Sequence, residues 1–224
     1  MKTIGKILIF LLIVVFVVCA LTFGVVYFGM KDYEQPYVDL IETYAEQNKL
    51  EPTLVAAIIK TESHFDPEAV SPVGARGLMQ IMPDTGKWIA DRMGLEYNED
   101  DLFEPELNIA MGTYYFKYLF DRFLSEDRAI MAYNGGLYNV DNWILNETIT
   151  DDTDTYENIP SGETRDYIRK VKENKEYYDV TWEGLVKNPS NSRIKRSLIF
   201  IKLFLVDQND TLNKGYTAIR GLFN

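Results

Sequence analysis

The chain has 224 residues, a net charge of −11, and a single cysteine and a single histidine. One cysteine excludes an intrachain disulfide, and one cysteine with one histidine excludes the common zinc constellations. Lys2 and Lys6 precede residue 31 and every acidic residue follows it, so residues 31–224 carry −13, which repels nucleic acid, and no basic patch with interleaved aromatics offsets it.

Residues 7–30 contain no charged side chain. At ~1.5 Å per residue a helix of that length crosses a hydrocarbon core of roughly 30 Å. The expected organisation is a cytoplasmic N-terminus over 1–6, an uncleaved transmembrane signal anchor over 7–30 and a juxtamembrane linker over 31–39. A cleaved signal peptide is the alternative, but no Ala-x-Ala-like site follows the span. Lys2 and Lys6 at the N-terminal end of the span argue for N-inside, C-outside. Cys19 reads as an apolar membrane cysteine, because Val18 is a poor match for the small residue that precedes the cysteine of a lipoprotein cleavage box.

Past the linker, the pattern is helical. Pro36 opens a helix with Val38, Leu40, Ile41, Tyr44 and Ala45 at helical spacing. Pro52 opens the next, with Leu54, Val55, Ile58 and Ile59 as its buried stripe, ending near Ser63 or His64. Asp66-Pro67 blocks continuation, and Ser71-Pro72-Val73-Gly74 is a turn. Asp84 or Thr85 is expected to cap a helix to about Met93, closed by Gly94. A further helix runs from about Pro105 to Phe123 with Ile109, Met111, Tyr114, Tyr115 and Tyr118 inward. Ser125 caps the helix leading to Tyr133, and another lies near residues 140–145. Residues 147–158 read as a solvated acidic loop, without the spacing of a calcium loop. Ser161, with Glu163 and Thr164 behind it, starts a long helix through about Tyr178. The run over 197–206 is so apolar that periodicity does not separate a helix from a strand, and the reading taken is a last helix over about 192–207. The fold class expected is mainly α, with many short helices around one substrate cleft.

The chemistry concentrates in three segments. In the first, Glu62-Ser63-His64-Phe65 is followed by Gly74-Ala75-Arg76-Gly77-Leu78-Met79-Gln80-Ile81-Met82-Pro83. Glu62 ends the apolar run Ala56-Ala57-Ile58-Ile59, where apolar surroundings can hold a carboxylic acid protonated near neutral pH, as a donor to a glycosidic oxygen requires. The second is Ala132-Tyr133-Asn134-Gly135-Gly136, and the third is Ile159-Pro160-Ser161-Gly162-Glu163-Thr164-Arg165-Asp166-Tyr167.

Together these segments resemble the catalytic domain of the soluble lytic transglycosylases, a lysozyme-like family that cuts bacterial peptidoglycan. The resemblance covers about residues 40–180. It implies a goose-type lysozyme-like helical domain, and it implies cleavage between N-acetylmuramic acid and N-acetylglucosamine with formation of a 1,6-anhydro end. It assigns Glu62 as the single acid and base, and it matches Ser71, Gln80 and Met82 to positions that contact the glycan around the scissile bond. Met82 is also consistent with plain packing, and Met79 reads as core. The family's tyrosine at Tyr133 lies beside the acid, its hydroxyl able to bond the N-acetyl group or the glutamate. Asn134 reads as holding the turn, with a substrate contact as its second reading. Glu163 and Tyr167 match cleft positions, while Glu163 is equally a helix-start charge favoured by the macrodipole. Arg165 reads as a structural ion pair and His64 as a turn residue. Gly135 departs from the family, which often has alanine there.

No cofactor or metal is implied. The implied partners are peptidoglycan glycan strands and, through the N-terminal helix, the bacterial cytoplasmic membrane, with the catalytic domain outside. Residues 181–224 match nothing in the resemblance and are read as an extension that could dock an envelope-assembly protein. The rival functions are a goose-type lysozyme-like hydrolase and a non-catalytic peptidoglycan-binding or scaffold component.

Overall fold

The computed structural model describes residues 2–31, 37–149 and 158–187. Pro36, most of the linker, the centre of the acidic loop, the helix expected over 192–207 and nearly all of the 181–224 extension lie outside the described residues. The chain divides into two compact units, of which one contains the N-terminal segment and the other is Gln35–Trp182.

The N-terminal segment forms one helix, α1 (Lys2–Lys31). Many of its described side chains are apolar and exposed, among them Ile9, Phe10, Leu12 and Phe16. The side chain of Cys19 lies outside the described set, and the longest unbroken run of described side chains in α1 is residues 9–18. Among the described residues, no helix is long and apolar enough to cross a membrane.

The second unit is built from α2 (Val38–Gln47), α3 (Pro52–Ser63), α4 (Pro83–Met93), a 3-10 turn (Glu99–Phe103), α5 (Pro105–Phe123), α6 (Glu126–Gly135), α7 (Leu137–Leu145) and, as far as Trp182, α8 (Gly162–Lys187). Among the described residues the only β pairing is a pair of isolated antiparallel bridges, Val70 with Arg76 and Arg76 with Ile81. Sequence periodicity did not signal them, since two single-residue bridges carry no alternating run.

Helix α3 is central. Residues 53–60 are buried on every side, which a helix tolerates only inside a core. Leu54, Val55, Ile58 and Ile59 are 0–2% exposed, and each contributes about 1.5–3 kcal/mol by leaving water. Ala56 and Ala57 keep the helix thin, and α2 packs against it and against α5. Pro52 supplies the first helical position, where a missing N–H costs nothing. The helix stops because His64 and Phe65 both turn left-handed, at φ 55° and 67°, and the Phe65 ring then enters the core.

Helix α4 begins one residue earlier than the expected cap. Pro83 is its first position, preceded by extended Met82, and no side chain caps it. A proline with its fixed φ does the work assigned in advance to Asp84 or Thr85. Gly94 closes it at φ 69°, as expected. Helix α5 matches its expected bounds. Ser125 caps α6 by accepting from Arg128 N–H. Helix α7 starts three residues before the expected 140, and α8 runs nine past Tyr178 to Lys187.

Candidate active site

Glu62 occupies the last turn of α3 and keeps partial exposure. Burial of its carboxyl is the largest influence and pushes its pKa up to about 7. Two groups on α8 modulate this. The Tyr167 hydroxyl donates to Glu62 Oε1 at 2.7 Å, which favours the ionised form. The nearby Glu163 charge favours the protonated form. Glu163 and Tyr167 are four residues apart, one helical turn, so one face of α8 carries both. Tyr167 is buried and Glu163 exposed. Burial first, then the Glu62 charge, raises the Tyr167 hydroxyl well above the ordinary tyrosine value, so it remains a donor.

Tyr133 lies within electrostatic range of Glu62, and burial followed by that charge raises its hydroxyl likewise. Of the two partners expected for its hydroxyl, an N-acetyl group and Glu62, the structure does not give it Glu62. The hydroxyl donates to the Met79 carbonyl at 2.8 Å, and the tyrosine bonded to the acid is Tyr167. Both tyrosines are at the site, but sequence alone could not divide their roles, because the division depends on how α6 and α8 are rotated against α3.

The loop between α3 and α4 is fixed by a residue sequence reasoning missed. Asn108 of α5 is 0% exposed. Its Oδ1 accepts from Met79 N–H at 2.7 Å, and its Nδ2 donates to the carbonyls of Leu102 at 2.7 Å and Arg76 at 3.0 Å. An asparagine inside the apolar stripe of α5 was the available signal, since a buried amide must find partners. Gly77 is dictated by the same contact. Its φ is 74°, and a Cβ there would lie 2.1 Å from Leu102 O. Ser63 Oγ donates to Leu78 O at 2.8 Å, tying the residue after the acid to this loop. Arg76 completes the fastening through ion pairs to Glu99 at 2.8 Å and Asp100 at 2.9 Å.

The remaining candidates divide. Ser71 Oγ accepts from Ala75 N–H at 2.9 Å and closes the turn. Gln80 is left-handed at φ 47°. Its Nε2 donates to Ala69 O at 3.0 Å and Gly77 O at 2.9 Å, so its Oε1 is the atom available to a sugar donor. Met82 is extended and 40% exposed. Met79 is core, at 0% exposure. Asn134 Oδ1 accepts from Thr164 Oγ1 at 3.0 Å, joining α6 to the start of α8, and Ser161 Oγ accepts from Thr164 N–H at 3.1 Å. Gly135 permits this approach, because a Cβ there would meet Thr164 Oγ1 at 3.0 Å. Arg165 donates to the Ile159 carbonyl, so the expected ion pair is replaced by a backbone contact that fixes the entry to α8. His64 is a turn residue, as expected.

An acid whose pKa burial raises to about 7 thus stands beside two tyrosines, and residues 39–155 match the family model "Transglycosylase SLT domain" over more than half of the chain. The chain belongs to the transglycosylase SLT domain family. Among relatives, this SLT chain is 37% identical over 147 residues to the "Soluble lytic murein transglycosylase" of Salmonella typhimurium, covering 63% of the chain and 23% of that protein. It is 32% identical over 165 residues to the "Membrane-bound lytic murein transglycosylase C" of Actinobacillus pleuropneumoniae, covering 63% of the chain and 45% of that protein. The SLT chain therefore spans about a quarter of the soluble relative and under half of the membrane-bound one. The 70 kDa soluble lytic transglycosylase of Escherichia coli superposes with a TM-score of 0.59 at 34% identity, over 63% of the chain and 24% of that structure. Its complex with bulgecin A gives 0.60 at 34% identity, over 64% and 24%. The mainly helical, lysozyme-like class expected from sequence is the class of these structures.

Proposed function

We propose that this chain is a peptidoglycan lytic transglycosylase with Glu62 as its single acid and base. The observation that carries the reading is the Glu62 carboxyl, held up to about 7 by burial and oriented by Tyr167 at 2.7 Å. An acid so placed is substantially protonated at neutral pH and can donate to the glycosidic oxygen. The C1–O4 bond of the muramic residue breaks, and the proton of Glu62 leaves on O4 of the departing N-acetylglucosamine. Glu62, now a carboxylate, takes the proton of the muramic residue's own C6 hydroxyl as that oxygen bonds to C1 of the same muramic ring. The acid is restored, no water is consumed, and the product carries a 1,6-anhydro end. Tyr167 steadies the carboxylate between the two steps by donating to it. Ser71, Gln80 through Oε1, Met82, Asn134 and Glu163 are the proposed surroundings of the glycan. Relatives bearing the name lytic murein transglycosylase support the reaction class.

Digestion of purified sacculi by the full chain, with the fragments weighed, tests the reading. Anhydro-ended fragments are expected, each one water lighter than a reducing-end fragment, and none from a folded Glu62→Gln variant. Reducing-end products would make the chain a lysozyme-like hydrolase. Retained cleavage by the Gln variant would remove Glu62 from the mechanism, and binding without any fragments would leave a wall-binding protein.

The same reading holds the enzyme at the outer face of a bacterial cytoplasmic membrane through α1. A continuous helix over Lys2–Lys31 and a charge-free stretch over 7–30 support it, as does the membrane-bound relative's name. A linker of residues 31–36 reaches only about 20 Å, which confines cleavage to glycan near the membrane. Protease added outside spheroplasts is expected to digest the domain; complete protection would reverse the orientation.

A further inference from the structure

The aromatic surroundings of the acid do not end at Tyr133. Tyr115 of α5 lies against it, with ring centroids 5.7 Å apart. Trp88 of α4 meets Tyr115 edge-on at 6.0 Å and Tyr118 at 4.9 Å. One turn further along α4, the Arg92 guanidinium sits 4.2 Å from the centre of the Trp88 ring and 5.4 Å from that of Tyr118. Trp88, Tyr115 and Tyr118 are half-buried and Arg92 is exposed. A row of rings thus leads from the tyrosine beside Glu62 to a cation at the surface.

Arg76, Arg122 and Arg169 are each ion-paired to carboxylates, and Arg165 donates to a backbone carbonyl. Among the described residues Arg92 has no carboxylate partner, in a stretch of net charge −13 over residues 31–224. The acid next to it in sequence, Asp91, pairs with Lys87 at 3.9 Å. A guanidinium resting over rings gains from the ring faces and keeps its N–H donors for an acceptor, with carboxylate the geometry it fits best.

We infer that Trp88, Tyr118 and Arg92 form a subsite for the carboxylate-bearing peptide side chain of the glycan strand. The inference rests on the reading of Glu62 as a glycan-cleaving acid. A neutral sugar would need the open face of the tryptophan, and Arg92 covers it. The anionic groups of the proposed polymer are the carboxylates of its peptide. The subsite is two ring contacts from Tyr133, and an extended peptide at ~3.3 Å per residue covers that distance with two to four residues.

The test is equilibrium binding to the full chain in detergent, using three soluble fragments: a peptide-bearing muropeptide, the same fragment with its carboxylates amidated, and peptide-free glycan. The wild type is expected to bind the acidic fragment about five- to tenfold tighter than the amidated one, the size of one charge-assisted contact. Arg92→Gln is expected to abolish the preference and Arg92→Lys to keep part of it. Peptide-free glycan should bind all three proteins alike, which controls for folding. A wild type without the preference, or an Arg92→Gln variant that retains it, overturns the subsite. A chain that discriminates yet releases no anhydro ends keeps the subsite and loses the activity. One that cuts sacculi without discriminating does the reverse.

Discussion

The two sides of Glu62 are built on opposite plans. On one side, the loop over 64–82 is fixed through its backbone. Asn108 holds three of its or its neighbours' main-chain groups, left-handed residues set its path at His64, Phe65, Gly77 and Gln80, and Arg76 pins it to Glu99 and Asp100. On the other side, α8 is a regular helix that meets the acid with side chains alone, the hydroxyl of Tyr167 and the charge of Glu163. The first side sets the path of the loop beside the acid, and the second adjusts a carboxyl pKa that burial has already raised. Substitutions in the loop wall should therefore act on stability and those on α8 on pH dependence.

The largest effect is expected at Asn108. Asn108→Ala strands a buried N–H and two carbonyls, and urea denaturation should show a loss of about 3–5 kcal/mol. A loss below about 1 kcal/mol would mean that the loop does not depend on this node. The next effect concerns Glu62 itself. Its native pKa of about 7 lies above the 4.5 of the free group, so the folded state binds more protons between those values and stability falls as pH rises through that window. Glu62→Gln removes the penalty. It should leave stability at pH 4 nearly unchanged and raise it at pH 8 by on the order of 2–3 kcal/mol; an equal effect at both pH values would contradict the burial argument.

Two smaller effects should have opposite signs. Tyr167→Phe removes a hydrogen bond that favours the carboxylate, so the alkaline limb of kcat should move to higher pH as kcat falls. Glu163→Gln removes a charge that favours the protonated acid, so the limb should move to lower pH, and Glu163→Asp should restore it in part. Shifts in the same direction in the two variants would contradict the opposite influences of Tyr167 and Glu163 on the acid.

Much of this was legible in the sequence, for physical reasons. Prolines at 52 and 105 mark helix starts because each lacks the N–H that a first turn leaves unpaired. Gly94 marks a stop because it accepts a left-handed cap. Glu62 stood out as a carboxyl at the end of an apolar run. What could not be read were features set by tertiary contact. Which tyrosine bonds the acid follows from helix rotation, and the Asn108 node joins residues 6, 29 and 32 positions away along the chain. The left-handed Gln80 is a non-glycine residue in a glycine conformation, held there by the loop it bonds. Arg165 was given a carboxylate by habit of charge, and the nearby Ile159 carbonyl took it instead.

The abrupt ending of α3 at His64 has an electrical consequence. Aligned peptide dipoles make the carboxyl-terminal end of a helix the equivalent of a partial negative charge. Glu62 sits within that final turn, so the backbone itself opposes ionisation there, by roughly 0.3–1 kcal/mol where solvent reaches. Had the same glutamate opened the helix instead of ending it, the peptide dipoles would have drawn the proton off.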